Sequence, residues 1–261
     1  MQRDFSIVSQ NQLKKWSRLT EVKFRREDGL LLAEGVKVVA ELLKSDWRVE
    51  AILVLPEKVQ YWEKLIAPLK DKSFVYQLSR SEWKKLSQDK EPEGLIAIAG
   101  NPEPPDLASW LTSASGHLVI GHEIANPQNL GAVMRSARWF GFTGIILGKK
   151  SVDWTHPKVI RASMGSIFHL TVLSDVDVWA ALPEISKDHI LIGSDVHGGL
   201  LPHPLMKKAA LLLGSESHGL TDELLEQVSE RWRIPGNEQS DSLSLPQAAA
   251  IMMYEMSKKS E

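Results

Sequence analysis

The sequence predicts an α/β protein in which a small domain precedes a larger one with a mainly parallel sheet. Two patterns lead to this prediction. Short apolar runs alternate with amphipathic helical stretches, and the segment Asn101–Asp106 interrupts that alternation. Three prolines among those six residues cannot continue a helix or a central strand. We therefore expect residues 101–115 to link a domain of residues 1–100 to one of residues 116–261.

In the first domain, apolar runs predict buried strands and amphipathic stretches predict helices. The strands are expected at Leu30–Ala33, Ala51–Leu55 and Gly94–Ala99, and the helices at Val36–Lys44 and Trp62–Leu69. In the second domain the strands are expected at His117–Gly121, Gly144–Leu147, Ile190–Gly193, Ala209–Leu213 and Trp232–Ile234. Its helices are expected at Leu130–Phe140, Pro157–Phe168, Trp179–Ser186, Asp222–Val228 and Leu245–Ser257. A ligand site of such a sheet lies beyond the carboxyl ends of the strands.

The composition excludes several kinds of chemistry. The chain has no cysteine, so it cannot form a disulfide, a thiolate zinc site or a cysteine-held iron–sulfur cluster, and it has no thiol nucleophile. No apolar run approaches the roughly 20 residues that cross a bilayer, and the first residues lack the pattern of a signal peptide. We therefore expect a cytoplasmic protein.

Charge is unevenly distributed, although the net charge of the chain is only −2. Within residues 14–26 the single acid Glu21 is outnumbered by cations, which are Lys14, Lys15, Arg18, Lys23, Arg25 and Arg26. Such a cluster is usually a solvated helix face, and it is also the kind of surface that binds phosphates.

Three loops that leave strands could carry chemistry. In the loop from Glu123 to Arg135, Asn129 could cap the following helix and Arg135 could hold a phosphate or carboxylate. In Leu212–Leu220, Gly214 and Gly219 permit a tight backbone beside Ser215 and Glu216, without a GxGxxG or phosphate-loop pattern.

The third loop runs from Ile234 to Gln247. There, Ser244 and Gln247 have the spacing of a capping box. Helix capping by itself would account for a serine at position 244. It would not account for Ser242.

Taken together, NxGAxxR, LGSExxGL and IP…SLS resemble the three signature motifs of the SpoU (TrmH-like) RNA 2′-O-ribose methyltransferases over residues 117–257. Arg161–Ser166 (RASMGS) resembles a further family segment. The first domain is similar to the family's substrate-binding module, related to a ribosomal RNA-binding fold, at residues 25–29, 33–37 and 91–94.

The resemblance implies the SPOUT fold with a deep C-terminal trefoil knot, S-adenosylmethionine as methyl donor, and no metal. It assigns catalytic or ordering roles to Arg135, Asn129, Glu216 and Ser242, and donor binding to Leu213, Gly214, Ile234, Leu243 and Ser244. Because a guanidinium group resists deprotonation, we expect Arg135 to hold a phosphate and stabilise charge on the attacking oxygen.

The implied partners are ribosomal or transfer RNA and a second copy of the chain, paired through the knotted domain. RNA contacts are expected at Lys14, Lys15, Arg18, Lys23, Arg25, Arg26 and Lys37. The family usually has asparagine at the position of Ser244, so an alternative is a catalytically weak or inactive RNA-binding protein of the same fold. A second alternative is a zinc hydrolase using Asp195, His197 and His203.

Overall fold

The computed structural model describes residues 5–66, 74–87, 89, 91–237 and 242–258. The chain forms two compact units. The first comprises Met1–Glu103 and Thr155–Phe168, and the second comprises Pro104–Trp154 and His169–Glu261. Thr155–Phe168 thus lies in the first unit, and the domain boundaries drawn from the sequence stay a prediction. Within the described residues, no helix is both long enough and apolar enough to cross a membrane.

The described elements follow one another as short strands and helices. The strands are β1 (Ser6–Ile7), β2 (Leu30–Glu34), β3 (Val49–Val54), β4 (Val75–Gln77), β5 (Leu95–Gly100), β6 (Leu118–Gly121), β7 (Gly144–Gly148), β8 (Thr171–Val176), β9 (Ile190–Ser194), β10 (Ala209–Leu213) and β11 (Glu230–Trp232). The helices are α1 (Gln10–Ser17), α2 (Val22–Asp28), α3 (Val36–Leu42), α4 (Val59–Ile66), α5 (Arg80–Trp83), α6 (Leu107–Ser113), α7 (Pro127–Trp139), α8 (Pro157–Ala162), α9 (Val178–Ile185), α10 (Asp222–Glu226) and α11 (Leu245–Ser257).

The sheet of the first unit has the order β1-β4-β3-β5-β2, and β5 runs antiparallel to both of its neighbours. Ser9 and Gln12 form a capping box that begins α1, which buries Leu13 and Trp16 in the core. These two side chains lie on one face of the helix because they are three residues apart.

The structure corrects one of the predicted RNA contacts, Arg25. Its side chain is 2% exposed, and its guanidinium donates to Thr155 Oγ1 at 3.0 Å, to the Leu19 carbonyl at 2.9 Å and to the Thr20 carbonyl at 3.0 Å. A buried guanidinium must satisfy its donors inside the protein. Arg25 therefore stabilises the first unit and is not available to an RNA phosphate.

The second unit contains a six-stranded sheet of order β11-β9-β10-β6-β7-β8, and every described pair in it is parallel. Strands β6, β7 and β10 are buried along their whole length, as expected for a sheet covered on both faces. Helix α11 packs against α7. The mainly parallel sheet is confirmed, and the knot stays a prediction.

Several elements differ from the sequence prediction. The expected linker contains α6, which Asp106 caps and which buries Trp110 and Leu111. The helix predicted from Pro157 to Phe168 ends at Ala162, because Met164 and Gly165 both adopt positive φ values. Strand β11 lies two residues before the predicted position, and the charged β8 was missed.

Arg25 and its exposed neighbour Arg26 offer a matched test of this burial. We expect Arg25→Met to lower the free energy of unfolding by about 2–4 kcal/mol, because it removes three hydrogen bonds that a buried guanidinium donates. Arg26→Met should change it by less than about 1 kcal/mol. Urea denaturation of both variants checks this, and similar small losses would show that Arg25 has no structural role.

Candidate functional site

The crevice of the second sheet lies between β6 and β10. These strands are neighbours, but the chain leaves β6 toward β7 and leaves β10 toward β11, on the opposite side of the sheet. Such a reversal opens a crevice at the carboxyl ends of the two strands. The His122 N–H donates to the Leu213 carbonyl at 2.8 Å, which extends the pairing to the start of both loops.

The Glu216 carboxylate joins these two loops. One oxygen accepts from the Ala125 N–H at 3.1 Å. The other accepts from the Asn126 N–H at 3.0 Å and from the Asn129 side-chain amide at 3.1 Å. The structure thus brings together Glu216 and Asn129, two of the residues selected from the sequence, and it fixes the entrance to α7.

The balance of forces on Glu216 favours its charged form. Partial burial raises the pKa of this carboxyl, but the N–H donors and the Asn129 amide outweigh burial and hold the pKa below its ordinary value. Because the folded-state pKa is depressed, the stabilisation is present at neutral pH and is lost as the pH falls through that pKa.

Asn126, rather than Asn129, caps α7. The Asn126 side-chain oxygen accepts from the Gln128 N–H at 2.8 Å and from the Asn129 N–H at 3.4 Å, and Pro127 occupies the first helical position. The Asn129 side chain is thereby free of the cap and donates to Glu216. The predicted cap at Asn129 was wrong by three residues, and the Asn-Pro pair was the signal that could have located it.

Gly214 holds the loop after β10 in a tight turn. Ser215 and Gly219 exchange two backbone hydrogen bonds, of 3.1 and 3.0 Å, and Gly219 has a φ of +68°. A Cβ on Gly214 would lie 2.0 Å from the carbonyl carbon of Gly219, so only glycine fits there. Leu213 ends β10 in a fully buried position.

Arg135 is exposed on α7. Among the described residues none accepts a hydrogen bond from its guanidinium or pairs with it. Arg135 and Gln128 are seven residues apart and therefore share a face of the helix, about 10 Å apart along its axis. Helical side chains lean toward the amino end, so the Arg135 side chain leans toward the start of α7.

The third loop is described only in part, because residues 238–241 lie outside the described range. Ser244 begins α11 as predicted, and its N–H and hydroxyl donate to Gln247 Oε1 at 3.3 and 3.0 Å. Ser242 and Leu243 are exposed, and Ile234 is half-buried. The described contacts do not join these residues to Glu216, so their roles stay predictions.

Sequence reasoning missed two charged pairs at the carboxyl ends of β6, β7 and β8. Lys150 donates to Glu123 at 2.9 Å, and Lys149 donates to Asp177 at 2.9 Å. The hydrogen bond from Lys150 lowers the pKa of Glu123. Only the meeting of the ends of β6, β7 and β8 in the folded sheet brings these residues together.

The residues of the proposed zinc site are engaged separately. Asp195 accepts from the His197 N–H at 2.8 Å, and His203 lies 2.9 Å from a Glu230 oxygen. Within the described ranges, no group of three or more histidine, aspartate or glutamate side chains is placed to hold a metal ion.

In the first unit, the remaining cations selected from the sequence are exposed, namely Lys14, Lys15, Arg18, Lys23, Arg26 and Lys37. Some are engaged within the unit. Lys15 lies 3.5 Å from Asp28, Lys23 lies 3.8 Å from Glu27, and the Arg18 guanidinium lies 3.4 Å from the centre of the Phe24 ring.

Two protein families match the chain. The SpoU rRNA Methylase family matches residues 116–254, which include all three loops of the site. The MRM3-like substrate binding domain matches residues 10–97.

Individual proteins are similar over nearly the whole chain. The Bacillus subtilis 23S rRNA (guanosine(2553)-2′-O)-methyltransferase is 29% identical, over 94% of this chain and 95% of that protein. The structure of an RNA methyltransferase of the TrmH family from Porphyromonas gingivalis has a TM-score of 0.80 and 26% identity, over 96% of this chain and 98% of that one. An RNA 2′-O ribose methyltransferase structure has a TM-score of 0.76 and 28% identity, over 96% of each chain.

The junction made by Glu216 can be tested with Glu216→Gln. A neutral amide accepts hydrogen bonds more weakly, and its NH₂ group would oppose the loop donors. We expect the amide hydrogens of Ala125 and Asn126 to exchange roughly tenfold faster at neutral pH. Hydrogen exchange measured by NMR checks this, with Glu226→Gln, an exposed carboxylate on α10, as the matched control. Unchanged exchange in the Glu216 variant would contradict the assigned role.

Proposed function

The chain belongs to the SpoU rRNA methylase family, and we propose that it transfers the methyl group of S-adenosylmethionine to a ribose 2′-hydroxyl of structured RNA. The Bacillus subtilis relative is named a 2′-O-methyltransferase of 23S rRNA, and its similarity extends over both units. The observation that carries the proposal is the junction at Glu216, which fixes the start of α7, the helix on which Arg135 is exposed and pairs with no described residue.

The residues proposed to hold the methyl donor fit such a group in their chemistry. Gly214 lets the loop after β10 turn tightly against Gly219, and the half-buried Ile234 and the 45% exposed Leu243 offer apolar surface to an adenosine. We assign donor binding to these residues together with Leu213 and Ser244. When bound, the sulfonium group of the donor would supply an electrophilic methyl group.

We assign to Arg135 the role of stabilising the attacking ribose oxygen. A hydroxyl oxygen gains negative charge as its proton leaves, and a positioned cation stabilises that charge while the oxygen bonds to the methyl carbon and the carbon–sulfur bond breaks. The guanidinium stays protonated, so it acts as a charge donor and a clamp on an adjacent phosphate rather than as a base. A phosphate oxygen or a water molecule accepts the proton of the 2′-hydroxyl as the oxygen attacks.

Asn129, Glu216 and Ser242 are assigned to ordering the site. Methyl transfer requires the attacking oxygen, the carbon and the leaving group to be aligned, and small displacements are costly in rate. Glu216 and Asn129 contribute by fixing the loop that begins α7. For Ser242 the assignment rests on its place in the third motif.

RNA is the proposed substrate, either ribosomal or transfer RNA. The exposed cations of the first unit supply phosphate contacts, which release counterions and make binding sensitive to salt. We retain Lys14, Lys15, Arg18, Lys23, Arg26 and Lys37 and omit the buried Arg25. The cytoplasmic location expected from the sequence belongs to this proposal.

A homodimer formed through the second unit is also part of the proposal. Trp139, at the end of α7, is 83% exposed, and the adjacent helix α11 exposes Ile251 and Tyr254. An apolar surface of this kind is typical of a protein interface. Sedimentation velocity of the full chain tests it, and a monomer at micromolar concentration would contradict it.

The mechanism predicts a specific kinetic defect in Arg135→Ala. Loss of a preorganised charge donor should slow single-turnover methyl transfer by about 10²–10³-fold. Affinity for S-adenosylmethionine should stay nearly unchanged, because the proposed donor loops do not include Arg135. Arg135→Lys should recover part of the rate, since lysine keeps the charge without the bidentate fork.

Arg138→Ala is the matched control, because Arg138 is also exposed on α7. A near-normal rate in folded Arg135→Ala would contradict the assigned mechanism. Wild-type protein that binds the donor and RNA but transfers no methyl group would support the alternative of an inactive RNA-binding protein.

A further inference from the structure

The first unit exposes an aromatic side chain next to a cation. Tyr61, on α4, is 70% exposed, and the Lys58 ammonium lies 5.4 Å from the centre of its ring. The ring of Trp62 lies 6.2 Å away and is tilted by 50°. We call Lys37, Lys58, Tyr61 and Trp62 the aromatic platform.

Contacts within the first unit hold this platform in place. The Trp62 indole N–H donates to the Glu93 carbonyl at 2.9 Å, and a Glu93 carboxylate oxygen accepts from the Val36 N–H at 2.7 Å. A Cβ on Gly94 would lie 2.7 Å from Cγ of Lys58, so the stem of Lys58 packs against bare backbone. The platform is therefore built on α3, α4 and the turn before β5.

Charges of both signs lie around Tyr61, with Lys58 beside its ring and Glu57 and Glu63 close to it along the chain. Glu57 is engaged by Arg80 at 2.7 Å, and Glu93 is engaged by the Val36 N–H. Among the described residues, neither Lys37 nor Lys58 lies within 4 Å of a carboxylate, although Lys58 attracts the Glu57 carboxylate at longer range. An aromatic ring that stacks on a base, flanked by cations that contact phosphates, is how proteins bind single-stranded nucleic acid.

We propose that Tyr61 stacks on an unpaired base of the substrate RNA while Lys37 and Lys58 contact flanking phosphates. This inference rests on the proposed function and specifies it further, because it assigns recognition of a loop or bulge to a surface outside residues 14–26. The MRM3-like substrate binding domain match, at residues 10–97, includes every residue of the platform. Unpaired bases, unlike those in an RNA duplex, leave their faces open to a side chain.

The test uses the full chain and a short single-stranded RNA that carries the fluorescent base 2-aminopurine. Stacking quenches that fluorophore. We expect wild-type protein to quench it, and Tyr61→Ala to lose the quenching and to bind roughly 5- to 100-fold more weakly. Tyr61→Phe should keep both, because it retains the ring. Tyr61→Ala should bind a duplex of the same RNA sequence almost as tightly as the wild-type protein does.

Ile7→Ala is the control, since Ile7 is exposed in the same unit and lies outside the platform. Normal affinity and quenching in Tyr61→Ala would overturn the proposal. An equal loss of single-strand and duplex binding, or a loss in Tyr61→Phe as large as that in Tyr61→Ala, would also overturn it.

Methyl transfer by wild-type protein is measured separately. If quenching depends on Tyr61 but the wild-type protein transfers no methyl group to RNA, the proposed function is contradicted and the stacking proposal is supported. If the wild-type protein transfers methyl groups and Tyr61→Ala binds RNA as well as the wild type does, the stacking proposal is contradicted and the proposed function is supported.

Discussion

The hydrogen bonds accepted by the Glu216 carboxylate are the constraint that joins the first two loops of the site. One side chain from the loop after β10 binds two backbone N–H groups and one amide of the loop after β6. Because the acceptor is charged, these bonds are stronger than those between neutral groups. They fix the entrance to α7, and a helix transmits that position along its length to Arg135.

Burial separates Arg25 from Arg135, two arginines selected from the sequence. Arg25 is enclosed by Thr155 and two carbonyl groups and belongs to the core of the first unit. Arg135 stands exposed, and no described residue satisfies its donors, so its charge is available to a ligand. The two residues have the same chemistry, and only the folded surroundings separate their roles.

Features set by local sequence could be predicted, whereas features set by long-range contact could not. The parallel sheet followed from apolar runs, the tight turn at Gly214 from its glycines, and the start of α11 at Ser244 from capping chemistry. By contrast, the partners of Glu216 lie 87 to 91 residues away along the chain. Strand β8 was missed because its exposed end carries charge and breaks the apolar pattern. The three-residue error in the cap of α7 arose from choosing Asn129 over the Asn-Pro pair at Asn126.

The most direct test is the affinity of the full chain for S-adenosylmethionine, measured by calorimetry as the pH is lowered from neutral. If the charged Glu216 orders the donor loop, wild-type affinity should fall as the pH drops through the depressed pKa of this carboxyl. Glu216→Gln should bind weakly at every pH and lose that dependence. Equal affinity of the wild type and Glu216→Gln at neutral pH would contradict the claim that this carboxylate holds the site together.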